Sequence, residues 1–242
     1  MSDGWRRRVP APVRARVARV RARWRPPGRV ELGDLRRTEP INSDWGRGRG
    51  RPIDRIYIER FLDRHRADIR GRALEAENDR YVRRFGSAVA HVEVLDVLPG
   101  NPRATIVADL QNAPQIPDGS FDCIILTQVL LYVFDVQAAY RTIYRILAPG
   151  GVLLATVPGI LKRSKDESEL YGDWWRFTTQ SANRLASDVF GEVNVEVETF
   201  GNVLVATAFL YGLGSDDLEP RELDVHDPDY EVIIGTRAVK RS

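Results

Sequence analysis

The sequence predicts an α/β fold built on a mostly parallel sheet with helices on both faces. Three observations predict it. Short apolar runs at 105–108, 123–126 and 152–157 lack strict alternation, as strands covered on both faces do. A helical pattern stands between the second and third runs, the connection that parallel strands require. Polar or loop-forming residues (Asp109, then Thr127 and Gln128, then Pro158 and Gly159) follow the three runs directly, where an open parallel sheet places a ligand.

In chain order, residues 1–30 carry ten arginines against Asp3 alone, so a net charge of only +2 hides a basic N-terminus and an acidic remainder. Val13, Val17, Val20 and Trp24 recur at helical spacing, which predicts a short basic amphipathic helix ending before Pro26 and Pro27. Such an arm suits an anionic partner, although a solvated arm is the plainer expectation. The stretch GRGRGRP at 46–52 has the composition of a flexible linker. Residues 1–50 are therefore expected to form a flexible extension and 51–242 the domain.

From Ile53 the pattern turns helical, with Ile53, Ile56, Tyr57, Phe61 and Leu62 on one face and Pro52 where a first turn tolerates it. A short first strand is expected at 72–74 or one residue more, and a second at 91–95, ending at Asp96. Pro149, Gly150 and Gly151 read as a turn before the run at 152–157. Thr178 reads as the N-cap of a helix to about 189, and strands are expected at 193–198 and 231–237. An apolar helix and a loop between those last two strands should cap the sheet edge or reach the substrate side.

A length of 242 residues with 43% hydrophobic content favours one domain with an extension. No stretch approaches the ~18 apolar residues of a membrane span, and the N-terminus has charge without the apolar core of a signal peptide, so a cytoplasmic location is expected. Cys123 is the only cysteine, which excludes an intramolecular disulfide and a cysteine-based metal cluster. In FDCII it is expected to be a buried small hydrophobe. His65, His91 and His226 are too scattered to suggest a metal site.

Four pieces, ADLQNAPQIPDGSFD, CIILTQVLLYV, ILAPGGVLLATVP and WWRFTTQSANRLASDVF, in this order and spacing resemble the class I S-adenosylmethionine-dependent methyltransferases of the small-molecule type. The likeness extends over residues 35–240. It implies a Rossmann-like, seven-stranded, mostly parallel sheet whose last strand is antiparallel, with S-adenosylmethionine as cofactor and a small-molecule or glycan-like acceptor. A nicotinamide-dependent oxidoreductase would share the fold, but GxGxxG does not follow the first strand.

The resemblance assigns roles. Asp96 would accept from both ribose hydroxyls, and Asp109 from the adenine amino group, beside the backbone amide of Leu110. Thr127 and Gln128 would lie beneath the amino-acid end and the methyl group. Tyr57, Tyr132, Trp175 and Arg176 would face the acceptor. The departure from the family is LEAENDRY: Glu75 matches the acidic position, Ala76 follows, and Glu77 stands where relatives usually keep glycine. A left-handed backbone costs a non-glycine residue ~1 to 2 kcal/mol. Glu77 would therefore either obstruct the site or pair with the cofactor's ammonium. A non-catalytic, partner-binding relative is the alternative that this degenerate loop favours. No universal catalytic residue is expected, since alignment alone accelerates methyl transfer.

Overall fold

The computed structural model describes residues 32–241. The helix expected around Val13 to Trp24 lies outside the described residues. Contacts divide the chain after Glu39. Before that point the described residues hold one 3-10 turn, Gly33–Leu35.

The second unit is a seven-stranded sheet of order β3-β2-β1-β4-β5-β7-β6. Its strands are β1 (Arg70–Ala76), β2 (Ala88–Asp96), β3 (Ile106–Val107), β4 (Phe121–Thr127), β5 (Leu147–Pro158), β6 (Val195–Phe200) and β7 (Ile233–Val239). β7 is antiparallel to both β5 and β6, and the other pairings are parallel. The chain reverses direction of travel across the sheet between β1 and β4, so the crevice at their carboxyl ends is the place for a ligand.

Helices α1 (Ile53–Arg64), α2 (Arg80–Phe85), α3 (Val136–Ile146), α4 (Lys165–Leu170), α5 (Thr179–Phe190), α6 (Val203–Leu210) and α7 (Pro220–Asp224) complete the unit. Strand alternation splits the core in two. Leu74, Ile124 and Leu153 face α3 and α5 on one side, while their neighbours Ala73, Ile125 and Leu154 face α1, α2 and α6 on the other. Thr178 caps α5, its side chain accepting from the Ser181 amide at 3.2 Å. Cys123 is buried, and burial pushes its thiol pKa up, as befits a core residue.

Three expectations are corrected. Strand β1 begins two residues earlier and ends later than expected, because Arg70 and Gly71 continue the parallel ladder with Ala88 and Val89. Pro149 to Gly151 form no separate turn. They lie within β5, where Gly150 has φ +76° and the Gly150 and Lys240 amides bond across to Lys240 and Gly151.

The GRGRGRP stretch is not a free linker either. The compact unit starts at Pro40, and residues 46–51 lie against 213–217. The Ser215 amide donates to the Arg51 carbonyl at 2.9 Å, and Arg49 pairs with Asp217. A Cβ on Gly46 would sit 2.5 Å from the Leu213 carbonyl oxygen, and one on Gly214 2.0 Å from that of Arg49. These glycines serve close backbone approach, with Gly46 also at φ +76°. The apolar insertion supplies the other side of that contact and, through α6, a ring for Trp45 to pack on: Phe209, with centroids 6.0 Å apart.

Candidate active site

A cavity of about 500 Å³ opens at the carboxyl ends of β1, β2 and β4, within the size range of small-molecule sites. Three backbone segments make its floor: Ala76 to Asn78 after β1, Asp96 to Leu98 at the end of β2, and Thr127 to Val129 at the end of β4. Pro52, Asp54 and Arg55 from the head of α1 close one end, while Leu161, Glu167, Leu170 and Tyr171 from the segment around α4 form a cover.

Two floor residues have left-handed backbones without being glycine, Glu77 at φ +71° and Gln128 at φ +57°. At Glu77 the Asn78 amide donates to the Ala76 carbonyl at 2.8 Å, a γ-turn centred on Glu77. The Glu77 amide donates to Leu95 and its carbonyl accepts from Asn101 Nδ2, both at 2.8 Å. At Gln128 the amide donates to the Thr156 carbonyl at 2.8 Å. Backbone bonds to neighbouring strands and loops thus hold two strained residues at one site.

The strand-end carboxylates are ordered by local turns. Asp96 accepts from the Leu98 amide at 2.9 Å and, through its other oxygen, from Asn101 Nδ2 at 2.8 Å. Asp109 accepts from the Gln111 amide at 2.8 Å. Each oxygen retains lone-pair capacity for a ligand. Asp96, Asp109, Leu110, Ala76, Glu77, Thr127, Gln128 and Tyr132 all line the cavity, so the structure brings together eight of the twelve predicted site residues.

Four fall elsewhere, each for a local reason. Glu75 is still inside β1, so its side chain stands perpendicular to the sheet on the face of Ala73. There it accepts from the Tyr81 and Val82 amides at 3.0 and 2.8 Å, capping the first turn of α2. Burial pushes its pKa up to about 7, against the pull of those two amides. Tyr57 lies in the α1 core, stacked on Phe200 with centroids 5.4 Å apart and its hydroxyl donating to the Leu223 carbonyl at 3.2 Å. Trp175 donates from Nε1 to the Val133 carbonyl at 3.0 Å, and both it and Trp174 pack on Phe134 outside the cavity. Arg176 grips the Leu161 and Lys162 carbonyls, each at 3.1 Å, and pairs with Asp173. It holds the cover segment in place without facing the cavity.

Other cavity residues escaped the sequence reading: Trp45, Asp54, Arg55, Glu167 and Tyr171. The Tyr132 hydroxyl donates to Glu167, tying floor to cover. Burial and then this bond push the Tyr132 pKa up. Tyr171 stands beside Tyr132, centroids 5.8 Å apart, and burial followed by the charges of Asp96 and Glu77 raises its pKa. Lys162 caps the Trp45 ring, its Nζ 3.7 Å from the centroid. For Asp54 a signal existed, since it heads the buried stripe that continues through Ile58 and Phe61.

Residues 44–155 match the family model described as a methyltransferase domain. No curated protein matches the sequence. Among solved structures the chain is similar to an S-adenosylmethionine-dependent methyltransferase from Mesorhizobium loti, at 16% identity over 78% of this chain and 98% of that one, with TM-score 0.52. It is also similar to phosphoethanolamine N-methyltransferase 2 of Haemonchus contortus in complex with S-adenosyl-L-methionine (16% identity, 84% of this chain and 54% of that one, TM-score 0.51). The [4+2]-cyclase SpnF matches at 16% identity over 85% of this chain and 87% of that one, TM-score 0.50. No helix among the described residues is long and apolar enough to cross a membrane.

Proposed function

We propose, for a chain whose methyltransferase domain and fold are those of the class I S-adenosylmethionine-dependent methyltransferases, that it binds S-adenosylmethionine in this cavity and methylates a small-molecule or glycan-like acceptor. The observation that carries this reading is the placement of Asp96 and Asp109, after neighbouring strands β2 and β3, on the wall of one cavity at the switch point of the sheet.

The residues present fit the cofactor. Asp96 supplies acceptors for a ribose diol, each charge-assisted bond contributing roughly 1.5 to 3 kcal/mol. Asp109 and Leu110 border the adenine position. When bound, S-adenosylmethionine supplies an electrophilic sulfonium methyl group. The chain's own contribution is placement. Thr127 and the fixed backbone of Gln128 support the reacting end from below, and Tyr132, Tyr171 and Trp45 exclude water around the acceptor's approach. Alignment of this kind contributes up to ~7 to 11 kcal/mol, so no dedicated base is required for an acceptor that is already nucleophilic.

One observation favours a second reading. Glu77 occupies a left-handed position natural to glycine, as in a relative that has given up cofactor binding for a partner-binding role. The likeness to a [4+2]-cyclase also means that the fold does not by itself fix the reaction. Calorimetric titration with S-adenosylmethionine, then mass spectrometry of a mixed panel of amine, hydroxyl and glycoside acceptors, separates the readings. Binding together with a product one methyl group heavier supports the enzyme. Absence of binding supports the non-catalytic protein.

A further inference from the structure

The crossover from β2 to β3 runs through residues 97–105 without a helix. Parallel neighbours are ordinarily joined by a helix packed on the sheet, and here it would lie beside α2, so part of that face is left uncovered. The result is a groove of about 900 Å³ with Val92 and Val94 of β2 as its floor. Its walls carry Arg80, Arg83 and Arg84 from α2 and Arg103 from the crossover, with Asp79 as the one acidic lining residue. The groove shares Asn78 and Arg80 with the cofactor cavity and is otherwise lined by different residues. Glu93 stands between Val92 and Val94 in the strand and so points to the opposite face. Composition does not account for this cluster, since residues 31–242 hold 26 basic and 33 acidic side chains.

The arginines are held in place but not used up. Arg83 pairs through Nε with Asp79, Arg84 through Nη1 with Glu59 at 3.0 Å, and Arg80 donates through Nη2 to the Tyr81 hydroxyl at 2.9 Å. The Arg80 and Arg84 guanidinium carbons also sit 4.6 and 5.2 Å from the Tyr81 and Phe85 ring centroids. A guanidinium is a fork of several N–H donors, so each keeps most of them for a ligand while its rotamer is already fixed. The Arg103 side chain has no hydrogen bond or ion pair with the described residues. The short helix α2 itself offers no amide, because Asn78 takes that of Arg80 and Glu75 those of Tyr81 and Val82.

We infer that this groove binds a small ligand carrying two linked phosphate groups. Four arginines against one aspartate give the lining a net charge of +3. Two phosphates bring roughly three negative charges and several acceptor oxygens, which guanidinium forks engage in pairs. A single carboxylate brings one charge and satisfies one fork. Single-stranded nucleic acid is held by bases stacked on aromatic rings, and no aromatic residue lines the groove. Inorganic diphosphate and a nucleoside diphosphate share the chemistry that fits.

Calorimetry on the full chain tests this with inorganic pyrophosphate, inorganic phosphate, ADP and poly-L-glutamate. Each is titrated with and without saturating S-adenosylhomocysteine, and into Arg83→Gln, Arg103→Gln and a control on α5, Arg184→Gln, whose side chain is 80% exposed. Pyrophosphate and ADP are expected to bind the parent more tightly than phosphate does. Each groove variant should lose about tenfold in affinity for them, the low end for a charge-assisted bond because the groove is open to water, while Arg184→Gln should match the parent. Arg103 has no side-chain partner to lose and Arg83 is 75% exposed, so both variants should keep the parent's circular dichroism. ADP binding tighter than pyrophosphate would mark a nucleoside diphosphate as the ligand, and any other order the diphosphate itself. Parent-like affinity in either groove variant would place the anion elsewhere on the chain and overturn the inference. Loss of pyrophosphate binding on adding S-adenosylhomocysteine would place it in the cofactor cavity, with the same consequence. A parent that prefers poly-L-glutamate, or binds no diphosphate, also overturns it.

Discussion

Replacing Glu77 with glycine tests how the chain manages its departure from a glycine-rich loop. Every backbone bond that fixes Glu77 is independent of its side chain: its amide to Leu95, its carbonyl from Asn101, and the Ala76–Asn78 closure around it. Its carboxylate accepts no hydrogen bond from the described residues. Glu77→Gly therefore keeps the turn and removes the left-handed penalty of ~1 to 2 kcal/mol. Glycine also widens the unfolded ensemble, which offsets about 0.5 to 1 kcal/mol of that gain. The net is a stabilisation of roughly 0.5 to 1 kcal/mol, or about 1 to 4 °C in thermal midpoint for a chain of this size. Because the Glu77 carboxylate is exposed and already satisfied by water, the same change should hold or tighten S-adenosylhomocysteine binding in calorimetry. A lower midpoint would refute the strain argument. Weaker binding whose deficit shrinks with salt would show that Glu77 pairs with the ligand after all.

Three further outcomes are expected. Asp96→Asn should weaken S-adenosylmethionine binding by about 1.5 to 3 kcal/mol and lower the ligand-free midpoint modestly, because an amide oxygen still accepts from Leu98 while the amide nitrogen meets the Asn101 Nδ2 donor; equal affinity in calorimetry would remove Asp96 from the ribose position. Glu75 has a folded-state pKa raised to about 7, so its stabilising contribution is complete below the unfolded value of about 4.5, declines as pH rises to about 7, and is flat beyond. Chemical denaturation should show the parent losing up to about 3 kcal/mol relative to Glu75→Gln across that window, whereas a pH-independent difference would mean that Glu75 stays ionised throughout. Deleting residues 1–34 should leave the thermal midpoint nearly unchanged, since the apolar clusters of the sheet are built from Trp45 onward, and loss of cooperative unfolding would contradict this.

The sheet was legible because buried parallel strands write themselves as apolar runs, and the residues just after those runs gave most of the cavity floor. Residues on strand ends and tight turns are placed by the backbone, so Asp96, Asp109, Thr127 and Gln128 fell where their sequence positions put them. Side chains one step further back were harder. A shift of two residues in where β1 stops turned Glu75 from a candidate ligand contact into a buried cap for α2, because alternation decides which way a strand residue points. Trp175 and Arg176 lie in an extended segment whose partners, at 131–134 and 161–162, are set by tertiary contacts that no local pattern carries. Gly46 to Gly50 read as a linker because composition registers glycine's freedom and not the neighbouring backbone that demands it. The cover around α4, with Glu167 and Tyr171, has no motif to announce it.

Hydrogen exchange with and without saturating S-adenosylmethionine tests the placement of the cofactor most directly. Protection is expected at Ala76 to Asn78, Asp96 to Leu98, Asp109 to Gln111 and Thr127 to Val129, with the α4 cover slowed in step. Protection elsewhere, or none at a concentration where calorimetry shows the site to be full, would contradict a cofactor seated at the carboxyl ends of β1, β2 and β4.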